Sequence, residues 1–256
     1  MKIIVCMKRV PHTAARIRAA QASGGAPDRR IQTDGVEFTM SPYDEIALAE
    51  AVRIKEKHGG EVTALSLGSD DAQTILRTAL AMGADSGLHL RAPAPIGLEL
   101  DGFQVASAIA GALRERPFDL LLFGRLAVDD QSSQVGTLTA RLLKIPSVAD
   151  VTRIELADGR ARFHHLVEGR VEVVECALPA AATAQKGLAE PKYPSIKQIM
   201  TAKKKPIDSV EAQLPPAALE ITAIEPPAPR KGGRIVGTGP AAAPELAGIL
   251  RREAGL

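Results

Sequence analysis

FDLLLFGRLAVDDQSSQVGTLTARLL, residues 118–143, decides the fold. Phe118 to Phe123 form a nearly unbroken apolar run, the pattern of a strand covered on both faces. Gly124 closes the run, a polar turn follows, and Ser133–Leu143 is expected as a helix. Strand, polar turn and helix in that order are the repeating unit of a parallel sheet.

The same unit recurs toward the N-terminus. Glu61–Leu67 reads as a strand closed by Gly68, followed by a helix over Asp70–Met82 that ends at Gly83. Leu88–Leu90 is a short strand, and Gly102–Arg116 is a helix with apolar positions Val105, Ile109 and Leu113. Lys2–Val10 is a buried strand. Pro11–Gln32, rich in Ala, Arg and Gly, is a long loop. Ser41 is placed to N-cap a helix with Pro42 at its first position and Glu45 near its start. Ile46, Leu48, Ala49, Ala51, Val52 and Ile54 give that helix an apolar side, and Gly59-Gly60 end it. The reading is an α/β, Rossmann-like parallel sheet with helices on both faces.

Toward the C-terminus the character changes near Pro146. Val151–Leu156, Ala161–Val167 and Val171–Leu178 are short strands, and Asp158-Gly159 and Glu168-Gly169 are the turns between them. This makes a small β-rich extension over residues 145–185. From Gln185 periodicity fades. Pro215-Pro216 and Pro226-Pro227-Ala228-Pro229 read as an extended arm, and Ala243–Glu253 as a short amphipathic helix. Ile221, Ile224, Ile235 and Val236 in that arm need a surface, either a partner subunit or the chain's own sheet.

The chain has 256 residues, enough for one good-sized domain with an appendage or for two small domains. With 3% aromatic residues and no Trp, the core must be aliphatic. A net charge of +2, from 32 basic and 30 acidic residues, does not suggest nucleic-acid binding. The basic run Lys203–Lys205 reads as a solvated face. Cys6 and Cys176 lie in apolar segments and read as two buried thiols of a cytoplasmic protein. Met1 leads straight into the first strand without the pattern of a secretory leader, and no run of about 18 apolar residues suggests a membrane helix. His12, His58, His89, His164 and His165 lack metal-ligand spacing, and no catalytic Ser/His/Asp pattern is expected. Asp129 and Asp130 are adjacent, a spacing at which carboxylates are not expected to converge.

In an open parallel sheet, ligands bind at the carboxyl ends of the strands, where strand order reverses. Three segments should meet there: Cys6-Met7-Lys8, Leu67-Gly68-Ser69 and Gly124 to Gly136. The last runs into a helix N-terminus and suits a phosphate. It could equally be a plain connecting loop with Asp and Ser as caps. No Walker loop is present, and no G-x-G-x-x-G follows the first strand.

Several separated motifs, in order, carry a resemblance. They are VCMKRVP from Val5, MSPYDEIALAEAVRIKEK from Met40, RTALAMGAD from Arg77 to Asp85, GRLAVDDQSSQVG from Gly124, and Leu178 to Ile207. The chain resembles the beta subunits of electron-transfer flavoproteins from Met1 to about Asp208, and more loosely beyond. The resemblance implies an adenine-nucleotide alpha hydrolase-like fold, with a nucleotide-binding domain over 1–208, a partner recognition loop and helix over 186–208, and an arm over 209–256 that packs on the alpha subunit.

It further implies a heterodimer whose alpha subunit carries FAD, with this subunit bordering the flavin and holding a structural AMP. It implies no catalytic or metal-binding residue. The implied nucleotide pocket comprises Cys6, Ser41, Pro42, Tyr43, Asp44, Leu67 and the run Gly124, Arg125, Leu126, Ala127, Val128, Asp129, Asp130, Gln131, Ser132, Ser133, Gln134 and Val135. The implied docking residues for acyl-CoA or related dehydrogenases are Pro191, Lys192, Tyr193, Ile196 and Met200. Electrons from fatty acid β-oxidation would pass on to a membrane quinone reductase.

Electron-bifurcating relatives, which hold a second FAD in this pocket and oxidise NADH, have Asp-Gly-Asp-Thr-Ala-Gln-Val-Gly-Pro in the loop. Here Asp130 stands in place of the first Gly, Ser132-Ser133 in place of Thr-Ala, and Thr137 in place of Pro. The added carboxylate favours AMP, whereas Gln134-Val135-Gly136 matches the bifurcating pattern. A free-standing adenine-nucleotide-binding module is the third alternative. Thr13 stands where many members have Tyr, Leu166 where some have Glu, Ala189 where Asn is usual and Thr201 where a Lys is usual.

Overall fold

A computed structural model describes residues 1–19, 31–92, 100–222, 224, 228 and 232–253. Two units make up the chain, Met1–Ile224 and Glu225–Leu256.

In the first unit the elements follow in the order β1 (Lys2–Met7), β2 (Arg9–Pro11), β3 (Arg18–Ala19), β4 (Ile31–Gln32), β5 (Phe38–Met40), α1 (Pro42–His58), β6 (Glu61–Gly68), α2 (Gln73–Met82), β7 (Ser86–Arg91), α3 (Gly102–Leu113), β8 (Leu120–Gly124) and α4 (Val135–Leu143). Then come β9 (Ser147–Ala157), β10 (Arg160–Val167), β11 (Arg170–Ala177), β12 (Ala180–Ala184), α5 (Ile196–Ala202) and β13 (Ile207–Glu211). The main sheet has nine strands in the order β11-β10-β9-β12-β8-β1-β6-β7-β13. From β9 to β13 all neighbours are parallel, while β10 pairs antiparallel with β9 and β11. Strand order reverses at β1: β6 and β7 lie on one side, β8 and β12 on the other.

Side-chain alternation splits the core into two layers, as strand geometry requires. Ile3, Val5, Leu120 and Leu122 face α1 and α2, and Ile4, Cys6, Leu121 and Phe123 face α3 and α4. The helices therefore cover both faces, as expected. The β-rich extension is also present, and both its hairpin turns carry two successive left-handed residues, Asp158-Gly159 and Glu168-Gly169. That is the backbone which matches strand twist in a two-residue turn.

Several sequence expectations change. The first strand does not run to Val10; it stops at Met7 because the Lys8 N–H turns to a carboxylate of Asp44 at 2.7 Å, and Arg9–Pro11 pairs with β5 instead. Part of the expected long loop forms the short β3–β4 pair, while its residues 20–30 lie outside the described residues, as do Pro226, Pro227 and Pro229 of the proline-rich arm. Ser41 stands at the N-cap position of α1, but its hydroxyl makes no cap; it donates to the Leu126 carbonyl at 3.3 Å. Cys176 is half-buried rather than buried. Lys205 is not on a solvated face, since its amine donates to the carbonyls of Leu80 and Ala84 at 3.0 and 2.5 Å. The strands β12 and β13 are not foreseen by the sequence reading at all. In the second unit, α6 (Ala243–Glu253) is the expected terminal helix, and Arg234 pairs with Glu253 at 2.7 Å. Among the described residues no helix is long and apolar enough to cross a membrane.

Candidate functional site

A cleft opens at the carboxyl ends of β1, β6 and β8, at the reversal of strand order. All three segments expected there contribute to it. Cys6, Leu65, Leu67 and Phe123 form an apolar floor from the strands, and α3 adds Val105 and Ile109 as a wall. At the other end the loop after β8 brings Asp130, Ser132, Ser133 and Gln134 around the start of α4. Gln134 makes no side-chain cap, so the first N–H groups of α4 have neither an intrahelical nor a capping partner. An apolar slot ending in convergent polar groups is the usual form of a small-ligand pocket.

Asp44 organises this end of the sheet. It stands in the first turn of α1, buried, and its two carboxylate oxygens accept from the N–H of Lys8 at 2.7 Å and of Gly124 at 3.0 Å. One side chain thus joins the ends of β1 and β8 at the reversal point. Burial pushes its pKa up to about 7, against the lowering effect of the two N–H donors and the Lys8 charge. Gly124 must approach Asp44 closely. A Cβ there would run into the Asp44 carboxylate and lie 2.8 Å from Tyr43 Cβ. Gly136 is similar, with 2.8 Å between an added Cβ and Thr183 and 3.2 Å to the Phe123 ring.

Lys8 carries the main departure from expectation. Its amine lies 2.8 Å from Asp129 and 3.0 Å from Asp130, so the adjacent carboxylates do converge. They do so because Lys8, in the link between β1 and β2, sits between them. Desolvation opposes the charge on Lys8, but the two aspartates outweigh it and raise the lysine pKa. Asp130 also feels desolvation, which Lys8 and the Ser132 N–H at 3.0 Å overcome, lowering its pKa. Gln131 and Ser133 adopt left-handed φ values of 52° and 55°, a strained state for non-glycine residues that such loops tolerate at binding sites. Burial, and then Asp44, drives the Cys6 thiol well above its ordinary pKa, so it is a wall and not a nucleophile.

Of the expected pocket residues, Cys6, Asp44, Leu67, Gly124, Arg125, Leu126 and Ala127 line the cleft, together with Asp130, Ser132, Ser133, Gln134 and Val135. Ser41, Pro42, Tyr43, Val128, Asp129 and Gln131 do not line it; Ser41 and Asp129 act from behind, through Leu126 and Lys8. Sequence reasoning gave no site role to Arg9, Leu65, Gly102, Val105 or Ile109. The apolar positions of α3 were legible, but not that their helix would cover this cleft.

The expected docking residues gather around α5. Tyr193 is 88% exposed, Ile196 79% and Met200 64%. Pro191 is half-buried and Lys192 exposed. Ser195 and Gln198 form a capping box that starts the helix. Its end is held from α2, where Arg77 donates to the carbonyls of Ala202 and Lys205 at 3.0 and 2.7 Å. The RTALAMGAD motif therefore fixes the helix that presents this apolar patch. Among the described residues no group of three or more His, Cys, Asp or Glu could hold a metal ion.

Residues 29–215 match the family model of the electron transfer flavoprotein domain. The electron transfer flavoprotein subunit beta of Bacillus subtilis is 37% identical over 99% of this chain and 99% of its own length. The subunit beta of Syntrophomonas wolfei is 37% identical over 92% of this chain and 90% of its own, and that of Mus musculus 38% over 83% and 82%.

Proposed function

The chain belongs to the electron transfer flavoprotein beta-subunit family, and from that premise we propose that it is the half of a heterodimeric carrier that holds AMP, borders the FAD of an alpha subunit and docks acyl-CoA-type dehydrogenases. The observation that carries the reading is the cleft at the β1–β8 reversal. Its apolar slot between Phe123 and Val105 suits a purine, and the uncapped start of α4 suits one phosphate. Ser132 and Ser133 add hydroxyls there. At that same end stands Asp130, held in place by Lys8, which disfavours the second phosphate of a dinucleotide.

The FAD of the larger subunit supplies the one-electron chemistry when bound. This chain supplies a wall, a rigid platform and a docking patch. The C-terminal arm packs on the alpha subunit, and the electrons leave through a quinone reductase.

The test is to denature the co-purified heterodimer and chromatograph what is released. One AMP and one FAD per heterodimer are expected. Two FAD without AMP would instead make this the subunit of a bifurcating complex, and no adenine nucleotide at all would end the reading.

The docking patch has its own test. Ile196→Asp removes an apolar anchor that touches little of its own chain, so the fold should keep its melting temperature. Electron transfer from the dehydrogenase to the heterodimer should fall by at least about tenfold, through KM, as loss of a central anchor does. Unchanged kinetics would remove α5 from the docking site.

A further inference from the structure

Helix α3 forms one wall of the cleft, and its first turn is held from outside by a much later part of the chain. After β13 the Ala212 N–H donates to the Arg91 carbonyl at 2.8 Å, and Ala212 packs on the same apolar cluster as Val105. Gln104 Nε2 then donates to the Pro215 carbonyl at 2.9 Å. Asp101, the N-cap of α3, accepts the Gln104 N–H on Oδ1 at 2.7 Å. Its other oxygen accepts two consecutive N–H groups, from Ala218 at 2.5 Å and Leu219 at 3.0 Å.

A helix needs only one oxygen for its cap, and Asn, Ser or Thr serve there about as well as Asp. The second oxygen of Asp101 is given to residues 218–219. The turn it holds abuts the start of α4, the polar end of the cleft: a Cβ on Gly102 would lie 3.1 Å from Gln134 Oε1. Movement of this turn away from α4 therefore widens the cleft where a phosphate would lie.

We propose that residues 212–219 are a strap, and Asp101 the positioning residue that fastens it, keeping the α3 wall closed over the bound nucleotide. The proposal rests on the nucleotide reading given above. Because coupling between two events is reciprocal, the nucleotide in turn tightens the strap. The strap is the first part of the C-terminal arm, so whatever the rest of the arm docks on also bears on the cleft.

The experiment uses the full chain co-purified with its flavin-carrying partner, with Asp101→Asn and Gln104→Glu. Each variant keeps the cap acceptor and sets a mismatched group against the strap. Release of AMP into nucleotide-free buffer should be about tenfold faster in both, the equivalent of one hydrogen bond. Protease cleavage within 212–222 should be faster in both variants, and in the wild type added AMP should slow it. A purely structural role for Asp101 would lower the melting temperature of the nucleotide-free complex and leave the release rate unchanged, and that result overturns the proposal. A wild-type complex without adenine nucleotide overturns the nucleotide reading itself, and the strap with it.

Discussion

Gly124→Ala is expected to abolish the AMP retention proposed for the heterodimer and to destabilise the chain by about 3 kcal/mol, the upper range for overpacking a tight contact. The added methyl meets the Asp44 carboxylate, Tyr43 Cβ at 2.8 Å and the Asp44 N–H at 2.9 Å. None of these is the end of a flexible side chain free to swing away. Asp44 is tied to Lys8 and Gly124, and Tyr43 is in the first turn of α1. The strain must therefore separate β8 from α1, and the loop that leads to α4 moves with β8. Gly111→Ala is the control. Gly111 is in α3, and a Cβ there meets nothing within 4 Å, so the same change should be neutral or stabilise by up to about 1 kcal/mol. Urea unfolding and AMP content of the purified complexes check both. Equal behaviour of the two variants would refute the close-approach argument.

Asp44→Asn is the second large effect. Above about pH 7, where Asp44 is ionised, an amide offers one acceptor where the carboxylate offers two, so the N–H of Lys8 or of Gly124 faces an NH2 group. Leaving a buried donor unsatisfied costs about 1–3 kcal/mol, and the mismatch falls where β1 and β8 diverge. Loss of AMP should accompany it. The change also carries a pH signature. The carboxyl pKa of Asp44 is raised from 3.8 to about 7, chiefly by desolvation, so the folded chain holds a proton that the unfolded chain releases. The contribution of this group to stability is full below about pH 4 and declines as pH rises to about 7, by up to about 4 kcal/mol. Asn lacks the proton. The stability difference between wild type and variant should therefore shrink as pH rises from 4 to 7 and stay constant above. A difference that grows over that window would contradict the raised pKa.

The sequence displayed the parts of the fold whose signal is local. Phe118–Phe123, Glu61–Leu67 and the helices after them announce themselves by apolar runs and periodicity, and the two Asx/Glx-Gly turns announce the hairpins. The strand β12 does not, because Ala-Ala-Ala-Thr-Ala has one branched side chain, Thr183, and no aromatic one, and reads as helix or loop. Only its position, fully covered between β8 and β9, makes it a strand. The Lys8–Asp129–Asp130 cluster was equally hidden. Adjacent carboxylates diverge unless something holds them, and the group that does so is more than a hundred residues earlier. Nor did a cap-like Ser41 show that its hydroxyl would be spent on Leu126. The strap was invisible for the same reason: Asp101 before an apolar periodic run is a cap, and nothing local says that its second oxygen has another use.

The position of β12 has a consequence for the order in which the molecule can be made. On a ribosome, β8 emerges long before its outer neighbour, because the excursion through β9, β10 and β11 comes in between. Until residue 184 is available, the β8 edge presents unpaired N–H and C=O groups beside an apolar surface, the sort of edge that pairs with strangers. The opposite edge waits longer still, for β13. Nascent chains shorter than about 185 residues should thus be clients of chaperones, and fragments ending inside the β9–β11 excursion should aggregate where those that include Ala180–Ala184 do not.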